Sequence, residues 1–244
     1  MSKLSIKTKL LVMLLGVSAI SIAVVASLNY IASYEALRDS VFMHLTSVRA
    51  SKADALEQYF ERMQSETRVV ASSPNLSIMA TEFADALAEL ESVELTAEKI
   101  ATLEKHYRDE YLPSLDAMVD GTPEFEAVFP ASNAARYLQY HYIASSPYPS
   151  GNKMQLDDSQ DGSTYSKIHA QWHPVMRHVL KEFGYYDLFL IDMSSGRIVY
   201  TTAKEIDFAT SLISGPHAQS NLARLFRSVQ RNPDRDAARM IDFE

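Results

Sequence analysis

An uncharged apolar run near the N-terminus constrains this chain most. Leu10 to Leu28 reads LLVMLLGVSAISIAVVASL, 19 residues that are almost all apolar or small, and the charge-free stretch continues to Tyr34. At about 1.5 Å per residue in a helix, the run nearly crosses a hydrocarbon layer of roughly 30 Å, and the continuation supplies the rest. The sequence therefore predicts a transmembrane anchor over residues 10–34.

Two other interpretations of the run are weaker. The small residues Ala26 and Ser27 would suit a cleaved signal peptide, but the apolar core of a signal peptide usually has only about 7–15 residues. A buried core helix explains neither the length of the run nor the lysines before it. We therefore expect an uncleaved anchor.

The charges around the run predict its orientation. Lys3, Lys7 and Lys9 precede it, and Glu35 follows it. By the positive-inside rule, residues 1–9 are expected to be cytoplasmic and residues 35–244 extracytoplasmic. This chain would then cross a membrane once.

Overall charge and cysteine content exclude several classes of protein. The chain has 23 basic and 31 acidic residues, and because the first 34 residues carry a charge of +3, the other 210 carry −11. So acidic a body lacks the basic surface that binding to nucleic acid requires. The absence of cysteine excludes disulfides, thiolate metal sites and a cysteine nucleophile.

Residues 35–130 are predicted to form an extracytoplasmic helical stalk region. Its first part, residues 35–73, has no Gly or Pro, and its apolar residues recur mostly three or four apart. A helix of this kind transmits movement or acts as a spacer, and we expect a homodimer through it. Two more helices are predicted, Leu76–Ser92 and Thr96 to Pro113, followed by an irregular connection over 114–130.

Residues 131–244 are predicted to be an α+β subdomain. A helix over 133–144, a loop over 145–162 and a helix over 163–183, bent at Pro174, precede two strands. The strands, 185–191 and 197–202, flank the turn 192–196 and so predict an antiparallel hairpin, with a further helix over 221–231. Helices followed by antiparallel strands are typical of the α+β class.

Three segments resemble the extracytoplasmic Cache (PAS-like) sensor regions of bacterial receptors. They are HLTSVRASKADALEQYF (44–60), the segment 156–187, and YYDLFLIDMSSGRIVYTTAKEIDFATSL (185–212). The resemblance covers about residues 1–231 and is nearest to regions found N-terminal to transmembrane adenylate/guanylate cyclases, chemoreceptors and sensor kinases. It implies a PAS-like sheet after a long helix. A double Cache region would continue with a second sheet subdomain, a second membrane helix and an output domain, so we expect this subdomain to be truncated.

The motifs do not favour catalysis or metal binding. His169 and His173 are four residues apart on a predicted helix, but no zincin glutamate stands between them and Pro174 disturbs the turn. Asp157 and Asp161 begin a pattern like a calcium loop, but Ile168 stands where the bidentate Glu belongs. Without a phosphate loop, an activated nucleophile or a carboxylate pair, we expect neither enzymatic activity within this chain nor a cofactor.

A small-molecule pocket is the functional site that the sequence favours most. Pockets of this kind have mostly apolar walls and a few placed polar groups. The expected ligand-binding residues are aromatic side chains with two charged anchors: Tyr165, Trp172, Arg177, Tyr185, Asp187 and Tyr200. In the alternative interpretation the tyrosines are core residues, and Asp187 pairs with Arg177 or Lys204.

The sequence as a whole thus predicts the ligand-sensing region of a membrane-anchored bacterial signal-transduction receptor. Its expected partners are a small molecule, the lipid bilayer and a second copy of the chain. The alternative is an exported scaffold or interaction module with no small-molecule ligand, which would show an apolar surface patch and no pocket.

Overall fold

A computed structural model describes residues 5–117, 121, 123–234 and 237–242. Lys3, part of the basic flank, lies outside the described residues. The chain divides into two compact units, Met1–Met63 and Gln64–Glu244, and each is described here by itself.

The first unit consists of the larger part of helix α1, which runs from Ile6 to Ala71. Within the described residues, α1 is the one helix whose length and apolar character would allow it to cross a membrane. None of its residues is buried, and apolar side chains such as Leu11 and Leu15 are each 59% exposed. The prediction of a continuous helix that ends just before Pro74 is confirmed.

The second unit begins with amphipathic helices. α2 (Pro74–Leu90) has a proline in its first turn, where a missing N–H costs no hydrogen bond, and it buries Met79, Phe83 and Leu87. α3 (Ala97–His106) begins at Thr96, whose side chain accepts a hydrogen bond from the N–H of Lys99. Both helices were predicted with closely similar starting points.

The end of α3 differs from the prediction, because the chain does not leave helical structure at Pro113. A π-helix, π1 (Tyr107–Tyr111), leads directly into α4 (Leu112–Asp116), which contains the proline. A short helix, α5 (Phe125–Val128), then interrupts the segment predicted to be irregular. In that segment, residues 118–120 and 122 lie outside the described residues.

Helices α6 and α7 enclose the long loop. α6 (Asn133–Gln139) passes into a second π-helix, π2 (Tyr140–Ala144), and a single 3₁₀ turn (Lys153–Gln155) lies within the loop. α7 (Thr164–Phe183) contains Pro174 and ends at Gly184, whose φ of 69° is the left-handed conformation that glycine adopts without a Cβ penalty.

The predicted hairpin is present, but its strands are short. β1 (Phe189–Ile191) pairs antiparallel with β2 (Ile198–Thr201), with Leu190 opposite Tyr200. The turn between them requires Gly196, because a Cβ there would lie 2.7 Å from Ile213 Cγ1. The last described helix is α8 (Asn221–Arg231). The described residues thus form a mainly helical structure with a small two-stranded sheet, so the broad α+β class is confirmed.

The core of the second unit has three clusters. The largest joins α2, α6, α7 and β2 around Phe83, Tyr165 and Tyr200, all fully buried. A second cluster lies under α8, and a third is formed mainly by α3, π1 and α5. Gln139 links the third cluster to the segment after β2: its Oε1 accepts from the hydroxyl of Tyr107 at 2.5 Å, and its Nε2 donates to the carbonyls of Ile206 and Phe208.

Candidate functional site

A cavity of about 560 Å³ lies in the second unit. The end of α3 with π1 forms one wall, the loop around residues 150–154 a second, and residues 203–206 after β2 a third. Tyr185 and Tyr186, which follow α7, complete the lining. The volume is in the range typical of small-molecule sites, about 300–1,000 Å³.

The π-helical wall follows from the proline that comes after it. The N–H of Leu112 donates to the carbonyl of Tyr107, five residues back, so the helix widens immediately before Pro113. In an uninterrupted α-helix the ring of Pro113 would clash with a carbonyl of the preceding turn, whereas the first turn of a new helix accepts proline. π-turns of this kind occur frequently at functional sites.

Two ionisable groups of this wall contact each other. Nδ1 of His106 lies 3.3 Å from Oε1 of Glu110, and the hydroxyl of Ser150 donates to Oε2 of Glu110 at 3.4 Å. Burial lowers the pKa of His106, and the positive charge of Lys153 lowers it further. His106 therefore stays neutral to a lower pH than an ordinary histidine does.

Lys153 is the unusual residue of the second wall. It is only 6% exposed, and its amino group makes no hydrogen bond or ion pair with any residue that the structure describes. Burial lowers the pKa of Lys153, while Glu110 and Glu205, on the same cavity, act in the opposite direction. The stem of Lys153 is therefore buried, while its ammonium keeps some contact with solvent and presents an unpaired positive charge at the cavity.

Lys204, in the third wall, is even more deeply buried, at 1% exposure. Its Nζ donates to the carbonyl of Thr201 and lies 4.7 Å from the ring centroid of Tyr200 and 5.4 Å from that of Phe208. Burial lowers the pKa of Lys204 to about 7. Its φ of 65° is a left-handed conformation that costs a lysine about 1–3 kcal/mol and that clusters at functional sites.

The two tyrosines of the lining form hydrogen bonds to acids. The hydroxyl of Tyr185 donates to Oε2 of Glu66, near the C-terminal end of α1, at 3.3 Å. The hydroxyl of Tyr186 donates to Glu205, and this bond is the main cause that raises the pKa of Tyr186 to about 12. The side chain of Tyr185 therefore connects the cavity to α1.

Of the six residues predicted to bind a ligand, Tyr185 lines this cavity. Tyr165 and Tyr200 lie instead in the main core cluster, each with no exposed surface. The hydroxyl of Tyr165 donates to the carbonyl of Val199 at 2.7 Å, and the hydroxyl of Tyr200 lies 2.7 Å from Nδ1 of His173. Both positions agree with the alternative interpretation of the tyrosines as core residues.

The other three predicted residues have partners within the protein. The indole N–H of Trp172 donates to Glu82 at 2.8 Å. Arg177 forms an ion pair with Asp157 at 2.5 Å, so it does not pair with Asp187. The six residues are not brought together around one cavity, and their role in binding a ligand stays a prediction.

Asp187 binds the backbone at the open end of the hairpin, just before β1 and just after β2. Its Oδ1 accepts hydrogen bonds from the N–H groups of Leu188, Thr202 and Ala203, at 2.6, 2.8 and 2.9 Å. Its Oδ2 accepts from the hydroxyl of Thr201 at 2.5 Å. A carboxylate holds about four acceptor positions, so Asp187 uses its hydrogen-bonding capacity on the hairpin itself.

The predicted histidine pair packs in the core. His169 and His173 are fully buried and their rings stack with centroids 4.2 Å apart. Carbonyl oxygens only accept, so Nδ1 of His169 carries the proton donated to Asp157 O, and Nε2 of His173 carries the proton donated to Met154 O. Nε2 of His169 has no partner among the described residues.

Burial keeps both histidines neutral. It lowers the pKa of His173 to about 2 and that of His169 well below its ordinary value, and the positive charge of Lys204 adds to both effects. Nowhere in the described part of the chain do three or more His, Asp or Glu side chains form a group able to hold a metal ion.

The acidic loop uses its carboxylates locally. Asp157 pairs with Arg177, as described above, and Oδ1 of Asp161 accepts from the N–H of Ser163 at 2.8 Å. The hydroxyl of Ser159 donates to Oδ2 of Asp161 at 2.9 Å. These bonds hold the loop ahead of α7, and the side chain of Asp161 is only 1% exposed.

A second cavity, of about 410 Å³, is lined mainly by small side chains of residues 127–135 and 209–216. Its arginine, Arg197, already forms an ion pair with Glu91. The cavity therefore offers a ligand no unpaired positive charge from this arginine, and the larger cavity is the better candidate.

Sequence reasoning missed Lys153 and the His106–Glu110 pair. Lys153 follows Pro149, Gly151 and Asn152, residues typical of an exposed loop, so nothing in its neighbourhood indicates burial. His106 and Glu110 do carry a signal, since residues four apart share a helix face and these two come just before a proline. No family model, curated protein or solved structure matches this chain.

Proposed function

We propose that this chain is the membrane anchor and extracytoplasmic ligand-sensing region of a bacterial signal-transduction receptor, of the Cache (PAS-like) type. In this proposal residues 10–34 lie in the inner membrane, residues 1–9 are cytoplasmic and residues 35–244 are exported. The apolar part of α1, the lysines before it and the α+β character of the second unit support it.

The observation that carries the sensing role is the contact between the cavity and α1. Tyr185 lines the cavity with one part of its side chain and hydrogen-bonds Glu66 of α1 with its hydroxyl. A ligand that moves Tyr185 would alter its hydrogen bond to Glu66, which lies on α1, the helix that contains the predicted anchor. Ligand binding would thus shift the equilibrium between two positions of α1. The shift can be only as large as the difference in the ligand's affinity for the two states.

We propose that the output lies outside this chain, in a cyclase, chemoreceptor or kinase domain. The resemblance to Cache regions supports this assignment, and the cavity supports binding rather than catalysis. The described lining holds lysines, tyrosines, Glu205 and the His106–Glu110 pair. The contact of Ser150 with Glu110, at 3.4 Å, is longer than the roughly 2.6–3.2 Å typical of a nucleophile and its base.

A second copy of the chain is the proposed partner of the stalk part of α1. Apolar side chains recur every three or four residues on this part of the helix and are exposed: Leu37 (65%), Val41 (48%), Leu45 (58%) and Val48 (41%). Two chains anchored in one membrane would present these side chains to each other in parallel, the arrangement in which helices with apolar repeats associate.

Single cysteines test the anchor and the pairing, because the chain has no native cysteine. In intact cells, Ser51→Cys is expected to react with a membrane-impermeant maleimide that enters only the periplasm, and Ser5→Cys only after lysis. Mild oxidation of membranes that contain Val48→Cys is expected to give a disulfide-linked dimer. Labelling of Ser5→Cys in intact cells would contradict the orientation, and a monomer under all oxidising conditions would contradict the pairing.

Loss of the Tyr185 hydroxyl is expected to uncouple ligand binding from α1. The full chain in nanodiscs would be screened by thermal shift against amino acids, carboxylates, amines, nucleobases and divalent ions. A ligand at 100 times its dissociation constant adds about 2.7 kcal/mol of stability. For such a ligand, hydrogen exchange over residues 64–71 should change in the parent and not in Tyr185→Phe. Affinity should stay within about threefold, because the lost hydroxyl bonds Glu66 rather than the ligand and the ring of Tyr185 is kept.

The matched control is Tyr148→Phe, which removes a hydroxyl from an exposed loop tyrosine and should leave the exchange response unchanged. A response that persists in Tyr185→Phe would contradict the coupling. A well-folded chain that binds nothing in the panel would contradict the sensing role and favour the scaffold or interaction module.

A further inference from the structure

Lys153 is the residue of the cavity that indicates which charge a ligand would carry. Its side chain is buried, its ammonium faces no acid within ion-pairing distance among the described residues, and it belongs to the lining. A lysine with so little exposure is rare in proteins unless something pairs with its charge. A ligand with a negative group would supply that partner.

The acids on the same wall limit how much negative charge a ligand can carry. Glu110 and Glu205 interact electrostatically with Lys153 but each has its own donor, Ser150 in one case and Tyr186 in the other. A dianion such as a phosphate monoester would be repelled by both carboxylates. A single negative charge is the better match to Lys153, which has neither a hydrogen bond nor an ion pair among the described residues.

The remaining lining is suited to an apolar group. Several apolar or aromatic side chains contribute to the walls: Tyr111, Ile143, Met154, Tyr185 and Ile206. At about 560 Å³, the cavity exceeds what a bare inorganic anion needs. Apolar walls with a few placed polar groups are typical of sites for organic ligands.

We propose that the cavity binds a monocarboxylate with an apolar body, whose carboxylate accepts a hydrogen bond from the ammonium of Lys153. This inference rests on the proposed sensing function and names the chemical class of its ligand. Burial of Lys153 makes the ion pair stronger than an exposed one, because there is little water to screen it. The apolar body would lie against the ring of Tyr185, the residue that contacts α1.

Isothermal titration of the full chain in detergent micelles tests the inference. The probes are phenylacetate, hexanoate and indole-3-acetate, each paired with its neutral amide. At least one carboxylate is expected to bind, with its amide at least tenfold weaker. Lys153→Met, which keeps most of the stem and removes the charge, should weaken that carboxylate about 10- to 100-fold, as expected for a charge-assisted hydrogen bond.

Two further variants complete the design. Lys153→Arg restores the charge and should recover part of the affinity. Lys167→Met, which removes an exposed lysine of α7, should bind like the parent. The fluorescence of Trp172, the chain's single tryptophan, reports in each variant whether the fold is intact.

Equal binding of acid and amide, or an unchanged affinity in Lys153→Met, would overturn the inference and leave the sensing function standing. No binding of any of the three acids at 10 mM to a folded parent would also overturn it. The sensing function itself falls only if the broader thermal-shift panel is silent as well.

Discussion

Replacement of Asp187 by alanine is expected to lower the free energy of unfolding by about 2–4 kcal/mol, because each buried donor left without a partner costs about 1–3 kcal/mol. The carboxylate accepts from three backbone N–H groups and one hydroxyl. Thr201 and Thr202, two of the donors, have no exposed surface, so water does not replace the lost acceptor. Urea unfolding of the full chain in detergent, followed by the fluorescence of Trp172, measures the change.

Two variants make the measurement specific. Asp187→Asn keeps one carbonyl acceptor and should lose about half as much stability. Asp85→Ala, which removes an exposed acid from α2, should stay within about 0.5 kcal/mol of the parent, as surface substitutions usually do. Full stability of Asp187→Ala with loss of ligand binding would instead support the role as a ligand anchor that the sequence suggested.

Acid is expected to destabilise the folded chain through its buried histidines. In the unfolded chain His173 takes up a proton near pH 6.5, whereas in the folded chain its pKa is lowered to about 2. Above pH 6.5 both states are neutral and the group contributes no pH dependence. Below it only the unfolded state binds the proton, so stability falls by up to about 1.4 kcal/mol for each pH unit per histidine.

His173→Gln isolates this contribution. At pH 7.5 the variant should be less stable than the parent by about 1–3 kcal/mol, because it disturbs the hydrogen bonds to Tyr200 and Met154. The deficit should shrink as the pH falls from 6 to 4.5, since the variant has no proton to take up at this position. His178→Gln, on the exposed part of the same helix with a side chain 72% exposed, should change the slope little. A deficit independent of pH would contradict the assignment.

The helices were predictable because their signals are local. The apolar run and the absence of Gly and Pro over residues 35–73 indicate α1, and a proline at the start and a glycine at the end delimit α2 and α7. Each of these signals acts through the backbone of one or two turns. The hairpin was predictable for the same reason, since the turn residues Asp192 and Gly196 lie between two apolar stretches.

The local sequence pattern predicted the wrong boundary where contacts distant in sequence determine the structure. Residues 185–188 have the composition of a strand, but Asp187 binds the backbone of residues 202 and 203, and β1 starts only at Phe189. Pro113 should end a helix by its chemistry, but π1 interrupts the α-helical pattern before it, and Pro113 lies in the first turn of α4, which continues the helix to Asp116. Propensity describes the residue, and tertiary contacts decide between the alternatives that it leaves open.

The candidate cavity was the least predictable part. An aromatic cluster and a pocket lining have the same composition, so the sequence could not assign Tyr165 and Tyr200 to the core and Tyr185 to the cavity. A buried lysine is rarer still, and Lys153 acquires its burial from segments far away in sequence, such as π1. The chemistry of a site made in this way is visible only after the chain has folded.

The division of the core into clusters has a consequence for how a ligand reaches the cavity. The wall made by α3 and π1 belongs to the third cluster, in which Leu103, Tyr107 and Val128 are the buried hydrophobic members. Because the free energy needed to open a segment scales with the apolar contacts it loses, this wall is the natural candidate to detach while the main core stays folded. The hydrogen bond from the hydroxyl of Tyr107 to Oε1 of Gln139 would have to break in such an opening, and it would therefore oppose the entry of a ligand.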